Sequence, residues 1–245
     1  MSVWDSRSIL GRSIRLPLRC LPPSTVVPIL TGSSRGMRWI VGSAPHGAWL
    51  GTLERRKLGH FVGRLRDGMT VWDIGAHVGL YTLASARAVG PAGQVHAFEP
   101  VPENLRFLKR RLGLNRLTNV KVWDAAVGDR SGSVRMAPGD SPSEYHVEPT
   151  GPAEVPAITL DDWWARSGSA PPHLVKIDVE GSEVAVLRGG SWTLGQHRPP
   201  IYLALHGDHQ RVECGRLLAQ WGWRVVSLVP GRAPETSSEW LAEAA

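Results

Sequence analysis

The sequence predicts an α/β fold with a mostly parallel central sheet and helices on both faces. From Gly68 onward, short apolar runs of strand character alternate with segments of helical periodicity, which is the order that builds a parallel sheet. One of these runs leads directly into a glycine turn, GAHVG at 75–79, and then into a helical pattern. With 245 residues, 42% of them hydrophobic, the chain is long enough to bury one sizeable core.

Runs of apolar and β-branched residues predict the strands. In chain order these are Thr70–Ile74, Gln94–Glu99, Val120–Ala125, Leu174–Asp178, Ile201–Leu205 and, after a helix over 209–221, Arg224–Val229.

Helix signals stand between the predicted strands. Pro102 and Glu103 suit the first turn of a helix, because proline lacks the N–H that would be unpaired there and an acid favours the helix dipole. Ser182 can cap a helix that stops at Gly189–Gly190. The alternation of strands and helices is therefore complete from Gly68 to Val229.

Three segments do not follow this alternation. Residues 131–156 contain five prolines and three glycines, which predicts an inserted loop or hairpin of the kind that often covers a site. Residues 36–53 predict one or two small strands, and 231–245 a loosely ordered tail. We therefore divide the chain into a basic arm with lead-in strands over 1–53, a main domain over 54–230, and the tail.

Positive charge is concentrated in the arm. The chain has 28 Lys and Arg against 22 Asp and Glu, and no acid stands between Asp5 and Glu54. Because the excess lies on the arm and not around a cleft, we expect no nucleic-acid partner, while weak contact of the arm with anionic lipid stays open. Arginines and prolines interrupt the apolar residues of the arm, which predicts neither a signal peptide nor a transmembrane segment.

The cysteines indicate the redox setting. Cys20 and Cys214 stand far apart and outside any C-x-x-C pair. They predict neither a disulfide framework nor a thiol metal site, and a reducing, cytoplasmic location fits them.

The turn at 75–79 predicts a site for a nucleotide-like cofactor. Gly75 and Gly79 carry no Cβ, so a ligand can approach the main chain closely. The next predicted strand ends on Glu99, whose two oxygens can accept both hydroxyls of a ribose. NAD and S-adenosylmethionine both carry that ribose, and these residues alone do not choose between them, although the glycine spacing of the dinucleotide fingerprint is missing.

Acids at the ends of later strands extend the predicted site. Asp124 can accept from an adenine amino group while the Ala125 N–H meets a ring nitrogen, and a surface acid is an equal alternative for Asp124. Asp178 ends the fourth strand, with Glu180 close behind it. Carboxylates packed together at a strand end destabilise the fold unless they are paired with cations or serve a function, so both are functional candidates. Glu183 is interpreted as a partner of the helix dipole.

Several of these motifs, AFEP and KIDVEG above all, resemble the FkbM-type methyltransferase family over roughly residues 32–229. The resemblance implies the Rossmann-like class I methyltransferase fold, with seven strands, one of them antiparallel near the edge, and it implies S-adenosylmethionine as the cofactor. The cofactor residues that it implies, with their neighbours in the same motifs, are Asp73, Gly75, Ala76, His77, Gly79, Glu99, Pro100, Asp124, Ala125 and Asp178.

Members of that family mostly methylate hydroxyls of sugars or secondary metabolites, which implies a small-molecule or glycan acceptor and a bacterial biosynthetic role. His206, at the end of the fifth strand, is the first candidate for a general base and Asp178 the second. A histidine with its ordinary pKa is largely neutral near pH 7, which suits a base. We expect no metal, although Asp178, Glu180 and His206 could converge on a divalent ion.

Three other functions stay open at this point: a nucleic-acid methyltransferase, an NAD(P)-dependent oxidoreductase and a non-catalytic cofactor-binding domain. The segment after the fourth strand reads DVEG and lacks the Asn/Asp-Pro-Pro-aromatic motif usual in enzymes that methylate nucleic-acid amino groups. The sequence does not predict an oligomeric state.

Overall fold

The computed structural model describes residues 21–139 and 145–244. Its strands are β1 (Val26–Pro28), β2 (Arg38–Ile40), β3 (Thr70–Ile74), β4 (Gln94–Phe98), β5 (Val120–Trp123), β6 (Ala126–Val127), β7 (Gly132–Pro138), β8 (Tyr145–Val147), β9 (Ala153–Ile158), β10 (Leu174–Ile177), β11 (Ile201–Ala204), β12 (Trp223–Ser227) and β13 (Glu239–Ala244). Its α-helices are α1 (Gly47–Leu50), α2 (Arg55–Gly63), α3 (Leu80–Ala88), α4 (Pro102–Leu114), α5 (Leu160–Ser167), α6 (Glu183–Gly189), α7 (Ser191–His197) and α8 (Asp208–Gln220).

Seven strands form the central sheet in the order β12-β13-β11-β10-β3-β4-β5, which confirms the predicted fold class. The β11-β10-β3-β4-β5 pairs are all parallel. Every residue of β3, β10 and β11 is buried, as expected for parallel strands covered on both faces. The predicted strand ends Glu99, Ala125, Asp178 and Leu205 fall one or two residues beyond the observed strands, so these residues stand at the carboxyl edge of the sheet.

The prediction of a loosely ordered tail over 231–245 is wrong. Strand β13 lies between β11 and β12 and runs antiparallel to both, so it, and not Arg224–Val229, is the strand inserted in the opposite direction. Trp240, Leu241 and Ala242 are buried in the core. The sequence hides this strand because loop-forming residues precede it and because its place between β12 and β11 is not encoded in the local pattern.

The described part of the arm packs on the main domain. Strands β1 and β2 form an antiparallel pair, and Trp39 is fully buried in a cluster with Leu108 of α4. Asn115 fixes the contact, since its side chain accepts from the N–H of Arg38 at 2.7 Å and donates to the carbonyl of Arg38 at 3.0 Å. The arginines at 7, 12, 15 and 19 lie outside the described residues, so contact of the arm with lipid stays a prediction.

The insertion at 131–156 contains the predicted hairpin. Strands β7 and β8 pair antiparallel, and β9 and β6 complete a small sheet in the order β6-β9-β7-β8. Residues 140–144, between the two hairpin strands, are outside the described part. Within that part, every helix is too short or too polar to span a membrane.

Trp240→Ala tests whether β13 belongs to the core. Trp240 is 3% exposed and its indole N–H donates to the carbonyl of Pro234 at 2.9 Å. We expect its removal to lower the free energy of unfolding by about 3 kcal/mol in urea titration. Trp192→Ala is the matched control, because Trp192 is 58% exposed. Its substitution should lower the free energy of unfolding by less than about 1 kcal/mol. Equal small losses in both variants would contradict the buried position of β13.

His96 should make stability depend on pH. It is fully buried, its Nδ1 accepts from the indole of Trp123 at 3.2 Å and its Nε2 lies 2.9 Å from the Ser169 hydroxyl. Burial, and to a lesser degree the charge of Lys121, lowers the pKa of His96 to about 4. Since the unfolded histidine takes up a proton near pH 6.5, the stabilisation is complete above that pH and is lost as the pH falls towards 4.

Urea titration of the wild type and of His96→Gln at pH 7.5 and pH 5 measures this effect. We expect the wild type to lose about 1 to 2 kcal/mol more than the variant over that interval. His209→Gln, at an exposed position on α8, should follow the wild type. An identical loss in His96→Gln would show that this histidine does not carry the pH dependence.

Candidate active site

A cavity of about 380 Å³ opens at the carboxyl edge of β3, β4 and β10, a volume typical of small-ligand sites. Predicted residues that line it are Gly75, Ala76, His77, Glu99, Pro100, Ala125 and Asp178. The arm and the insertion close it from the sides with Trp39, Pro45, Leu53, Glu54, Met136, Tyr145 and Val147. The predicted site residues Asp73, Gly79, Asp124 and His206 lie outside this lining.

The glycines of the turn are required by the protein's own packing. Gly75 has φ +74°, and a Cβ placed on it would lie 1.8 Å from the carbonyl oxygen of Asp178. Gly79 has φ +96° at the start of α3, and its Cβ would lie 2.6 Å from the Leu108 side chain. The bare backbone therefore lets β3 approach the end of β10 and lets α3 begin against Leu108 of α4.

A buried lysine joins the acids of two neighbouring strands. Lys176 Nζ donates to the carbonyl of Gly75 at 2.6 Å and lies 3.4 Å from Asp73 and 3.5 Å from Asp178. Burial by itself lowers the pKa of Lys176, but the charges of Asp178, Asp73 and Glu54 outweigh it and raise that pKa above its ordinary value. Asp73 also accepts from the Thr82 hydroxyl at 2.5 Å, so its role here is structural and it does not face the cavity.

Glu99 is buried at the cavity wall and holds the turn in place. Its Oε1 accepts from the Val101 N–H at 2.9 Å and the Asn104 amide at 3.2 Å, and its Oε2 accepts from the His77 N–H at 2.8 Å. Burial raises the pKa of Glu99, while these three donors and Lys176 act in the opposite direction. Because each oxygen can accept two hydrogen bonds, Oε2 keeps capacity for a ligand hydroxyl, which fits a ribose.

The structure does not bring Asp124 into the cavity. Its side chain is 52% exposed and pairs with Lys109 at 2.6 Å. Its predicted contact with adenine is therefore not formed in this arrangement, whereas the neighbouring Ala125 does line the cavity.

His206 lies behind the cavity among three carboxylates. Its Nδ1 is 2.9 Å from Glu183 Oε1, and its Nε2 is 3.1 Å from Glu180 Oε2 and 3.8 Å from Asp178 Oδ1. The hydrogen bond with Glu183 and the charges of Glu180, Glu183 and Asp178 raise the pKa of His206 to about 9, although burial opposes them. This arrangement favours a protonated His206, in contrast to the neutral histidine expected from the sequence.

Glu183 does more than accompany a helix dipole. It is fully buried, and its Oε1 also accepts from the Gly181 N–H at 2.9 Å. Asp178, in contrast, faces the cavity, and the charges of Lys176, Lys57 and His206 hold its pKa below the ordinary value against the effect of burial.

The structure contains a second polar cluster that the sequence did not predict. Tyr81 donates to Glu54 Oε2 at 2.7 Å, and Lys57 lies 3.0 Å from Glu54 and 2.8 Å from Glu239 of β13. Burial and the Glu54 carboxylate raise the pKa of Tyr81, so the phenol stays protonated. No local motif marks these residues, because α2, α3 and β13 meet only in the folded chain.

Lys176→Met should destabilise the protein by about 3 kcal/mol, because it leaves the carboxylates of Asp73 and Asp178 without their buried cation. Urea titration measures the loss. The exposed Lys109→Met, which breaks the surface pair with Asp124, is the matched control and should cost less than about 1 kcal/mol. Equal effects of the two variants would contradict the role given to Lys176.

Comparison with known proteins agrees with this geometry. The sequence profile described as Methyltransferase FkbM domain matches residues 73–234. The chain is 30% identical over 128 residues to the 2-O-methyltransferase NoeI of Sinorhizobium fredii, which covers 44% of this chain and 52% of that protein. It is 29% identical over 170 residues to the 31-O-demethyl-FK506 methyltransferase FkbM of Streptomyces tacrolimicus. That alignment covers 56% of this chain and 64% of the relative.

The chain thus spans less than two thirds of the length of these curated relatives. A crystal structure of a methyltransferase FkbM from Methylobacillus flagellatus KT superposes with a TM-score of 0.51 at 18% identity, over 81% of this chain and 53% of that one, which supports the fold. The profile match covers more than half of the chain and includes the turn, Glu99 and the acids after β10. The chain therefore belongs to the FkbM family of S-adenosylmethionine-dependent methyltransferases.

Proposed function

We propose that the protein transfers a methyl group from S-adenosylmethionine to a hydroxyl oxygen of a small-molecule or glycan acceptor. One observation carries the proposal: the open turn at 75–79, Glu99 and Asp178 all border the same cavity. S-adenosylmethionine supplies an electrophilic methyl group on a sulfonium sulfur. A single cavity that borders both a ribose-binding acid and a second acid suits a cofactor and an acceptor held side by side.

The names of two relatives support transfer to an oxygen of the acceptor. These are a 2-O-methyltransferase and a 31-O-demethyl-FK506 methyltransferase, and a third relative is a hexuronic acid methyltransferase of Haloferax volcanii, 28% identical over 123 residues that cover 49% of this chain and 48% of that protein. We infer an acceptor with several hydroxyls, such as a sugar or a secondary metabolite. A cytoplasmic location is part of the proposal and rests on the cysteines of the sequence.

The residues of this chain contribute mainly by positioning, because methyl transfer requires the attacking oxygen to lie in line with the methyl group. Glu99 accepts a ribose hydroxyl through Oε2, and the turn borders the space for the rest of the cofactor. Asp178 accepts the hydrogen bond of the acceptor hydroxyl, since it borders the cavity, and His206 acts through Asp178 and Glu180. The order of the two candidate bases is thereby the reverse of the one inferred from the sequence.

Calorimetric titration of S-adenosylmethionine tests the cofactor site. We expect the wild type to bind S-adenosylmethionine and Glu99→Gln to bind it at least about tenfold more weakly. A hydrogen bond to a charged group contributes about 1.5 to 3 kcal/mol, and the variant replaces the charged carboxylate by a neutral amide. Asp124→Asn should match the wild type, since its side chain lies outside the cavity. Binding of NAD⁺ in place of S-adenosylmethionine would refute the proposal.

Transfer of a radiolabelled methyl group to hexuronic acids, methyl hexosides and hydroxylated polyketides tests the reaction. With any acceptor found, Asp178→Asn should lower kcat at least about a hundredfold, because the hydroxyl loses its hydrogen-bond acceptor. Glu103→Gln, an exposed acid on α4, should keep the full rate. A label found on nitrogen, or an Asp178→Asn variant with unchanged kcat, would contradict this mechanism.

A further inference from the structure

We propose that Asp178, Glu180 and His206 bind one divalent cation at the wall of the cavity. The three side chains come from two loops, one after β10 and the other after β11, which the parallel sheet places next to each other. One ligand atom from each lies within 4.8 Å of the other two.

The spacing suits a common coordination sphere. His206 Nε2 lies 3.1 Å from Glu180 Oε2 and 3.8 Å from Asp178 Oδ1. Neighbouring ligands of an octahedral ion with bonds of about 2.1 Å are about 3 Å apart, and opposite ligands about 4.2 Å. The two distances from Nε2 therefore fall within the range that separates the ligands of one octahedral ion.

Glu183 provides a second, independent observation. It is fully buried beneath His206 and holds Nδ1 at 2.9 Å, so the other ring nitrogen, Nε2, points at Glu180 and Asp178. Its second oxygen, Oε2, is buried and has no hydrogen-bond partner among the described residues. A carboxylate that fixes a histidine through one nitrogen is the usual support of a histidine that binds a metal through the other.

The charges favour a cation as well. Three carboxylates surround one imidazole, while Lys176 lies 3.5 Å from Asp178 and is shared with Asp73, and Lys57, whose charge also acts on Asp178, pairs with Glu54 and Glu239. A divalent ion that binds Nε2 displaces the proton of His206 to solvent and takes over its place as the positive charge among the acids. Asp178 and Glu180 border the cavity, so open coordination positions of the ion face the space assigned to the acceptor.

The ligand set selects the kind of ion. Two carboxylates and one imidazole favour an ion that accepts both oxygen and nitrogen, such as Mn²⁺, over Ca²⁺, which prefers six to eight oxygens. The role of the ion rests on the proposed function: it would orient an acceptor hydroxyl and lower its pKa. Two adjacent hydroxyls could occupy two open positions, which points to a vicinal diol as the acceptor class.

Titration with Mn²⁺ alone, followed by electron paramagnetic resonance of the free ion, tests the site in the full chain without cofactor or acceptor. We expect one saturable site in the wild type and at least about tenfold weaker binding in Glu180→Gln and His206→Gln, each of which loses a ligand. Glu103→Gln, whose side chain lies on α4 away from the cavity, should bind like the wild type.

Glu180→Gln is the decisive variant, because its side chain is 38% exposed and the substitution keeps its shape. An unchanged urea transition of this variant shows that it is folded. Absence of saturable Mn²⁺ binding in the wild type, or equal binding in the wild type and both ligand variants, would overturn the inference. Titration of S-adenosylmethionine separates the two proposals, since cofactor binding without Mn²⁺ binding leaves the proposed function intact and removes the metal site.

Discussion

The ion pairs of Lys176 are the interaction on which the site depends. This buried lysine ties Asp73 of β3 and Asp178 after β10 to the carbonyl of Gly75. Two carboxylates and a carbonyl could not converge there without a cation, because their mutual repulsion and their burial would both be uncompensated. The missing Cβ of Gly75 permits the close approach, and the lysine makes it stable. The shape of the cofactor turn follows from both.

Contacts from the arm and from β13 support the elements that surround the cavity. Lys57 of α2 pairs with Glu239 of β13 at 2.8 Å, and Glu54, next to it, accepts from Tyr81 at 2.7 Å. On the other side, Arg111 of α4 is fully buried, stacks 3.6 Å from the Trp39 ring and donates to the carbonyl of Val78 in the turn. Trp39 of the arm thus packs on an arginine that is bonded to the turn, and Glu239 of the last strand pairs with α2.

His206 and its carboxylates form a compact unit on rigid elements. The histidine follows β11 of the central sheet, and α6, which packs in the same core, begins at the buried Glu183. The unit pairs an imidazolium with three acids, and it presents the same atoms to a divalent cation. This explains why one arrangement supports two chemical interpretations, a positively charged histidine in the free protein and a histidine ligand when a cation is present.

The sequence by itself determined the fold class, the strands from Thr70 to Ala204, the turn and the positions of Glu99 and Asp178, because those depend on local periodicity and on the rule that parallel strands end at one edge. Only the tertiary structure decided the place of β13, the exposure of Asp124 and the roles of Lys176, Glu183 and Tyr81. These depend on contacts between residues that stand far apart along the chain. A pKa such as that of His206 follows from those contacts and from burial, which no local pattern records.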